Sequence, residues 1–318
     1  MARALDGLRR YQDAPRPAPP EAMPAIAEVM GATLRDYGGT GLPVLFVPSL
    51  INPPGILDLS VERSLLRWLR TQGFHPLLVD WGWDVEARKQ LSIAGHVEQI
   101  LLPMIDALGE PPALVGYCLG GTMAIAAAAL SPSPRLATIA APWHFSAFPA
   151  EDRALLARLW TGTEPATRSL GLLPMEALQS AFWSLDPART VMKFEKFAGM
   201  EPGSAAASGF VALEDWANDG PPMGEAAARE MFDGLFAADL PGTGAWTVSG
   251  RAVSPEALPC PLLSIVSTSD RIVPAATSVR SGERLELAQG HVGMVIGGRA
   301  RAALWEPLAA WLSQGRLG

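Results

Sequence analysis

Cysteine is almost missing from this chain, with only Cys118 and Cys260 among its 318 residues. Two cysteines cannot build a disulfide framework and form no thiolate metal cluster, so the reading is a reducing compartment and no structural metal. Positive charge is also short. Lysine and arginine number 25 against 32 acidic residues, which leaves a net charge of −7. Such a balance gives no electrostatic footprint for nucleic acid or anionic lipid, and nucleic acid is excluded as the expected partner. The opening stretch MARALDGLRRYQDAPRPAPP holds no continuous apolar run and turns proline-rich. It reads as a cytoplasmic terminus without an export signal, and residues 1–30 are expected to pack poorly. No internal repeat is present, and the alanine-rich stretch after Cys118 is the one biased tract.

What the chain does have is apolar content for a large core, at 49% hydrophobic and 18% charged. Its first half alternates short apolar runs with helical patterns. PVLFVP (43–48), PLLVDW (76–81), ALVGYC (113–118) and LATIAA (136–141) are nearly unbroken, as strands of a parallel sheet buried on both faces should be. A helix is expected from Leu57 to Gln72 with Gly73 ending it, and another along the stripe Val97, Ile100, Leu101, Met104, Ile105 and Leu108 up to Gly109. The alternation returns in PLLSIVSTSD (261–270), RLELA (284–288) and an amphipathic helix near 300–312. Between these halves it stops, and eight of the ten phenylalanines fall between Phe145 and Phe236. The expected fold class is therefore α/β, a mostly parallel sheet flanked by helices. The core takes residues 31–142 and 254–318, and a helical cap or lid insertion takes 143–253, over the strand edges where open sheets bind ligands.

From Ala113 to Leu130 the chain carries no charge over 18 residues, the length of a membrane span. Gly116, Gly120 and Gly121 argue instead for a strand turning sharply into a helix, with Cys118 at the turn. That is the G-x-nucleophile-x-G elbow of α/β-hydrolases, with cysteine as the nucleophile. A cysteine nucleophile needs a base, and histidine is scarce: His75, His96, His144 and His291. In the elbow fold the order is nucleophile, acid, histidine, and only His291 leaves room for an acid, for which Asp270 in STSDRIVP follows a strand. The oxyanion requires two backbone donors. Leu119 supplies one at the start of the elbow helix. Leu50 or Ile51 supplies the other, since Pro48, Pro53 and Pro54 have no N–H.

The elbow GYCLGG, the segment VPSLINPPGILDL, then LEDWANDG, SDRIVP and GHVGM follow one another as similar segments do in the polyhydroxyalkanoate (poly-3-hydroxybutyrate) synthases. The chain resembles that family of the α/β-hydrolase superfamily over most of residues 40–312, and is most similar to its short, class III-like catalytic subunits. Trp143-His144-Phe145 stands where family members often show an Asp-Phe pair. The resemblance implies a Cys118–Asp270–His291 triad. It further implies a CoA thioester as substrate with no bound cofactor, and transfer of 3-hydroxyacyl groups from CoA through Cys118 to a growing polyester. Expected partners are 3-hydroxyacyl-CoA, the polyester chain or granule, and a second subunit or homodimer, with a cytoplasmic or granule-associated location. GYCLGG is also similar to the elbow of dienelactone hydrolases, so a cysteine-nucleophile α/β-hydrolase (esterase, thioesterase or dienelactone hydrolase-like) stays open. So does a non-catalytic granule-coating protein.

Overall fold

A computed structural model describes residues 2–185 and 187–314. Among them eight strands form one sheet: β1 (Ala25–Val29), β2 (Ala32–Asp36), β3 (Pro43–Val47), β4 (His75–Asp80), β5 (Ala113–Tyr117), β6 (Leu136–Ile139), β7 (Leu262–Ser267) and β8 (Glu283–Leu287). Their order is β1-β2-β4-β3-β5-β6-β7-β8; β2 runs antiparallel to both neighbours, and all other pairs are parallel. Every residue of β3, β5, β6 and β7 is buried, because helices cover both faces and leave no side on which a polar residue could be solvated.

Side chains alternate between two cores. Leu45, Val47, Leu77, Val79 and Leu114 face a helix over 93–107 and the elbow helix. Val44, Phe46, Leu78 and Val115 face Leu65, Leu66 and Leu69, with Leu304, Leu308 and Trp311 of the C-terminal helical stretch over 301–313. The charge-free run of the sequence is thus divided: its first five residues are β5, and a helix from Leu119 to Leu130 follows Cys118. Among the described residues no helix is long and apolar enough to cross a membrane.

In chain order the helices ahead of β7 are α1 (Ala2–Asp13), α2 (Leu65–Thr71), α3 (93–107), α4 (Leu119–Leu130), α5 (Ala150–Leu170), α6 (Met175–Leu185), α7 (Pro187–Phe197), α8 (Ala205–Ala217) and α9 (225–237). The last five lie in the long connection from β6 to β7. That insertion is tied to the loop after β3: Trp216 Nε1 donates to the Pro53 carbonyl at 2.8 Å. Its aromatic rings divide among separate clusters. Phe145, Phe148 and Phe236 pack together with centroids 5.0 to 5.9 Å apart, while Phe194, Phe197 and Phe210 gather elsewhere.

Two expectations change. The helix expected over 57–72 begins only at Leu65, capped by the Ser64 hydroxyl, which accepts from Arg67 N–H. Before it, Asp58 is drawn inward as acceptor for Tyr37 Oη at 2.8 Å and for Arg67, and this ties 58–64 into a closed loop. The terminal segment expected to pack poorly does so only around residues 14–24, which lack regular structure. Ahead of it, α1 buries Ala4 and Gly7 and packs against α7. Tyr11 Oη donates to Asp215 Oδ1 at 2.6 Å, and Arg16 pairs with Asp215 at 3.1 Å. Behind it, β1 joins β2 through a tight turn at Met30 and Gly31, with φ of 50° and 77°.

Candidate active site

Strand β5 delivers Cys118 to the C-terminal edge of the sheet, between β3 and β6. Its backbone has φ 55° and ψ −132°, a region that L-residues avoid at a cost of about 1–3 kcal/mol. The surroundings hold it there: Cys118 N–H donates to the Ile139 carbonyl at 2.9 Å, and Gly121 N–H donates to the Cys118 carbonyl at 2.8 Å. The elbow also demands close approach. A Cβ on Gly120 would lie 2.1 Å from the Val47 carbonyl oxygen, and one on Gly116 would lie 2.4 Å from the Gly121 Cα. Cys118 itself is partly exposed, with Leu119 opening α4 behind it.

Asp270 and His291 come from the loops after β7 and β8 and are both buried. His291 Nδ1 and Asp270 Oδ2 are 2.7 Å apart. The other carboxylate oxygen accepts the backbone N–H groups of Ile272 at 2.8 Å and Val273 at 3.1 Å, which fixes its plane. Burial alone would lower the pKa of His291. The charges of Asp270 and Cys118 and hydrogen bonds to both outweigh it, so the imidazole is held well above its ordinary value. The Tyr117 ring lies 5.1 Å from the His291 ring, tilted 35°. Desolvation, with the charges of Cys118 and Asp270, raises the phenol far above its ordinary value and keeps it neutral. Tyr117 adjoins Cys118 in the elbow motif GYCLGG, and that adjacency is the signal in the sequence for its place beside the site.

The other histidines do different work. His75 Nε2 meets Asp36 Oδ1 at 2.7 Å, at the opposite end of the sheet. His96 is buried in α3 with Nδ1 2.8 Å from the Ser92 carbonyl oxygen, and desolvation lowers its pKa to about 4. His144 has a buried Nε2 without a hydrogen-bond partner, and burial depresses its pKa. None of these three lines the cavities that meet at Cys118.

Those cavities differ in character. One, of about 210 Å³, has Asn52, Thr190, Lys193, Trp216 and His291 in its wall. The other, of about 80 Å³, is walled chiefly by Phe145, Phe148, Leu178, Met231 and Phe236. Cys118, Ile51, Arg271 and Ile272 belong to both. Of the two donors considered beside Leu119, the Ile51 N–H is taken by Ser49 Oγ at 3.1 Å. Leu50 directs its side chain away, into a small pocket with Trp81 and His96. Among the described residues no group of His, Cys, Asp and Glu is arranged to hold a metal ion.

No family model matches the chain. It is 26% identical to the poly(3-hydroxyalkanoate) polymerase subunit PhaC of Haloferax mediterranei over 86% of its own length and 59% of that protein's. Against the subunit of the same name from Allochromatium vinosum the identity is 26%, over 86% of this chain and 81% of the other. The chain is thus similar along most of its length to the poly(3-hydroxyalkanoate) polymerase subunits. The chain spans about three fifths of the Haloferax protein, at 59% of its length. Its fold is that of the α/β-hydrolases. A monoacylglycerol lipase from Paleococcus ferrophilus superposes with a TM-score of 0.54 at 18% identity, covering 88% of this chain and 98% of the lipase. A hydrolase from Oleispira antarctica gives 0.54 at 15%, covering 89% and 94%.

Proposed function

We propose that the protein transfers 3-hydroxyacyl groups from CoA thioesters through a Cys118 acyl-enzyme to the hydroxyl of a growing polyester. The observation that carries this reading is a cysteine elbow at the junction of two cavities, a wider one with Asn52, Thr190 and Lys193 set in a mainly apolar wall and a narrow one that is apolar almost throughout, beside the buried His291–Asp270 pair. Asp270 holds the proton on Nδ1 and leaves Nε2 to act as the base. His291 takes the Cys118 proton, and the thiolate adds to the thioester carbonyl. The resulting oxyanion is met by the N–H groups of Leu119 and, since that of Ile51 is occupied, Leu50. Collapse breaks the bond to CoA sulfur, and the imidazolium gives the leaving thiolate its proton. One thioester has replaced another, so the exchange is close to balanced. In the second half His291 deprotonates an incoming hydroxyl, whose oxygen attacks the acyl-enzyme and releases the Cys118 thiolate, which recovers that proton.

The acceptor decides the product, because water is present at about 55 molar and must be kept out. The apolar cavity suits that task, and the insertion over 143–253 serves as the lid that encloses it. The wider cavity suits the carrier. Lys193 in its wall carries a cation 2.5 Å from the buried Glu214, and exposed Trp183 adds apolar surface fit for a polyester chain. Incubation with 3-hydroxybutyryl-CoA and identification of what accompanies released CoA tests the reading. Oligomeric esters or polymer, with or without an added partner subunit, support it. Free 3-hydroxyacid equal to the released CoA under both conditions sinks it and leaves a cysteine hydrolase.

A further inference from the structure

The acyl-transfer chemistry leaves one charged side chain of the apolar cavity without a task. Asp152 lies in the first turn of α5 and lines the cavity with Cys118, Phe145, Phe148 and Phe236. Its neighbour Glu151 is exposed and already provides a solvated acid for the helix N-terminus. Asp152 is half-buried, and among the described residues its carboxylate receives no hydrogen bond. Arg271 lines the same cavity but has a partner of its own. Desolvation and the charge of Glu151 raise the pKa of Asp152. A partly desolvated acceptor beside apolar walls gains from a ligand that brings a hydroxyl into that space and closes it to water.

We propose that Asp152 accepts a hydrogen bond from the hydroxyl of the acyl group carried by Cys118 and so selects 3-hydroxyacyl over unsubstituted acyl thioesters. The role rests on the acyl-enzyme reading given above. It follows a general asymmetry of recognition: apolar walls reject an added hydroxyl weakly, whereas a site with a buried polar group strongly rejects the analogue that cannot pair with it. Asp152 is on this account a specificity residue. It takes no proton and forms no bond in either half-reaction.

The test measures single-turnover acylation of Cys118, by CoA release and intact mass, with 3-hydroxybutyryl-CoA and butyryl-CoA. The wild-type protein should prefer the hydroxylated thioester. Asp152→Leu should lower that preference by about 10-fold or more, with slower reaction of the hydroxyacyl group and faster reaction of butyryl, as loss of a hydrogen bond to a charged acceptor implies. Asp152→Asn keeps an acceptor oxygen and should fall between. An unchanged preference in both variants, or an equal loss with both thioesters, overturns the role of Asp152 while leaving the acyl-enzyme intact. Failure of the wild type to be acylated by either thioester overturns both.

Discussion

Replacing Asp270 by asparagine separates the two tasks of that carboxylate. Oδ1 accepts two backbone N–H groups, from Ile272 and Val273, and Oδ2 faces His291 Nδ1 at 2.7 Å. An amide can satisfy only one side. With its oxygen toward the backbone, its NH2 donates to Nδ1 and drives the imidazole proton to Nε2, where it blocks uptake of the Cys118 proton. With its NH2 toward the backbone, two buried N–H groups lose their acceptor, at about 1–3 kcal/mol each. The first orientation therefore prevails by a few kcal/mol. The variant folds but carries the wrong tautomer, and acylation should slow by about 10² to 10⁴. The pH profile should move as well. The charge of Asp270 is the largest influence raising the His291 pKa. The imidazolium is needed to protonate the leaving thiol, so activity falls as pH rises through that pKa, and the fall should come at lower pH in Asp270→Asn. Single-turnover CoA release across pH measures both effects. A variant retaining more than about a tenth of the wild-type rate, with its alkaline limb unmoved, would refute the reasoning.

Cys118→Ala should abolish any covalent acyl adduct in mass spectra while keeping the native circular dichroism; an adduct on Cys260 would contradict the assignment. Gly120→Ala places a methyl against the Val47 and Pro48 carbonyls, at 2.1 and 2.5 Å, and should cost more than about 2 kcal/mol in denaturant melts. His96, with a folded pKa of about 4 against an ordinary 6.5, is buried neutral. Unfolding therefore takes up a proton below the ordinary value, and stability should decline as pH falls from 6.5 toward 4 by as much as about 3 kcal/mol, a slope that His96→Gln should flatten. Tyr11→Phe removes the 2.6 Å hydrogen bond to Asp215 and should lower stability by about 1 kcal/mol, read as a drop in Tm.

The inner strands were legible because burial on both faces writes itself as unbroken apolar runs, and β3, β5, β6 and β7 read that way. The β1–β2 hairpin was not. Its residues are half-polar and sit toward the sheet edge, and the Met30-Gly31 turn lacks the Asn-Gly or Asp-Gly signal that marks such turns in sequence. The elbow showed itself through glycines whose spacing only a sharp turn explains. Fold order then singled out Asp270 and His291, which the structure brings to 2.7 Å. Other features depend on which loops meet in space. Neither the hold of Ser49 on the Ile51 amide nor the presence of Asp152 in the cavity of Cys118 has any local pattern that could announce it.

The contact of α1 with the insertion has a consequence for how the molecule opens. Arg10 bonds to the Ala198 carbonyl across a separation of 188 residues, and Tyr11 packs on Phe194 and Phe210. The contact rests on few buried residues outside the main cores, as the small cluster of Phe197, Ala207 and Val211 shows. Such a unit exchanges its amide hydrogens through openings that leave the sheet untouched. Amides of α1, α7 and α8 should therefore exchange together and faster than those of β5. Lys193 and Trp216 ride on these helices, so the exchange of α7 and α8 amides reports on a wall of the wider cavity beside Cys118.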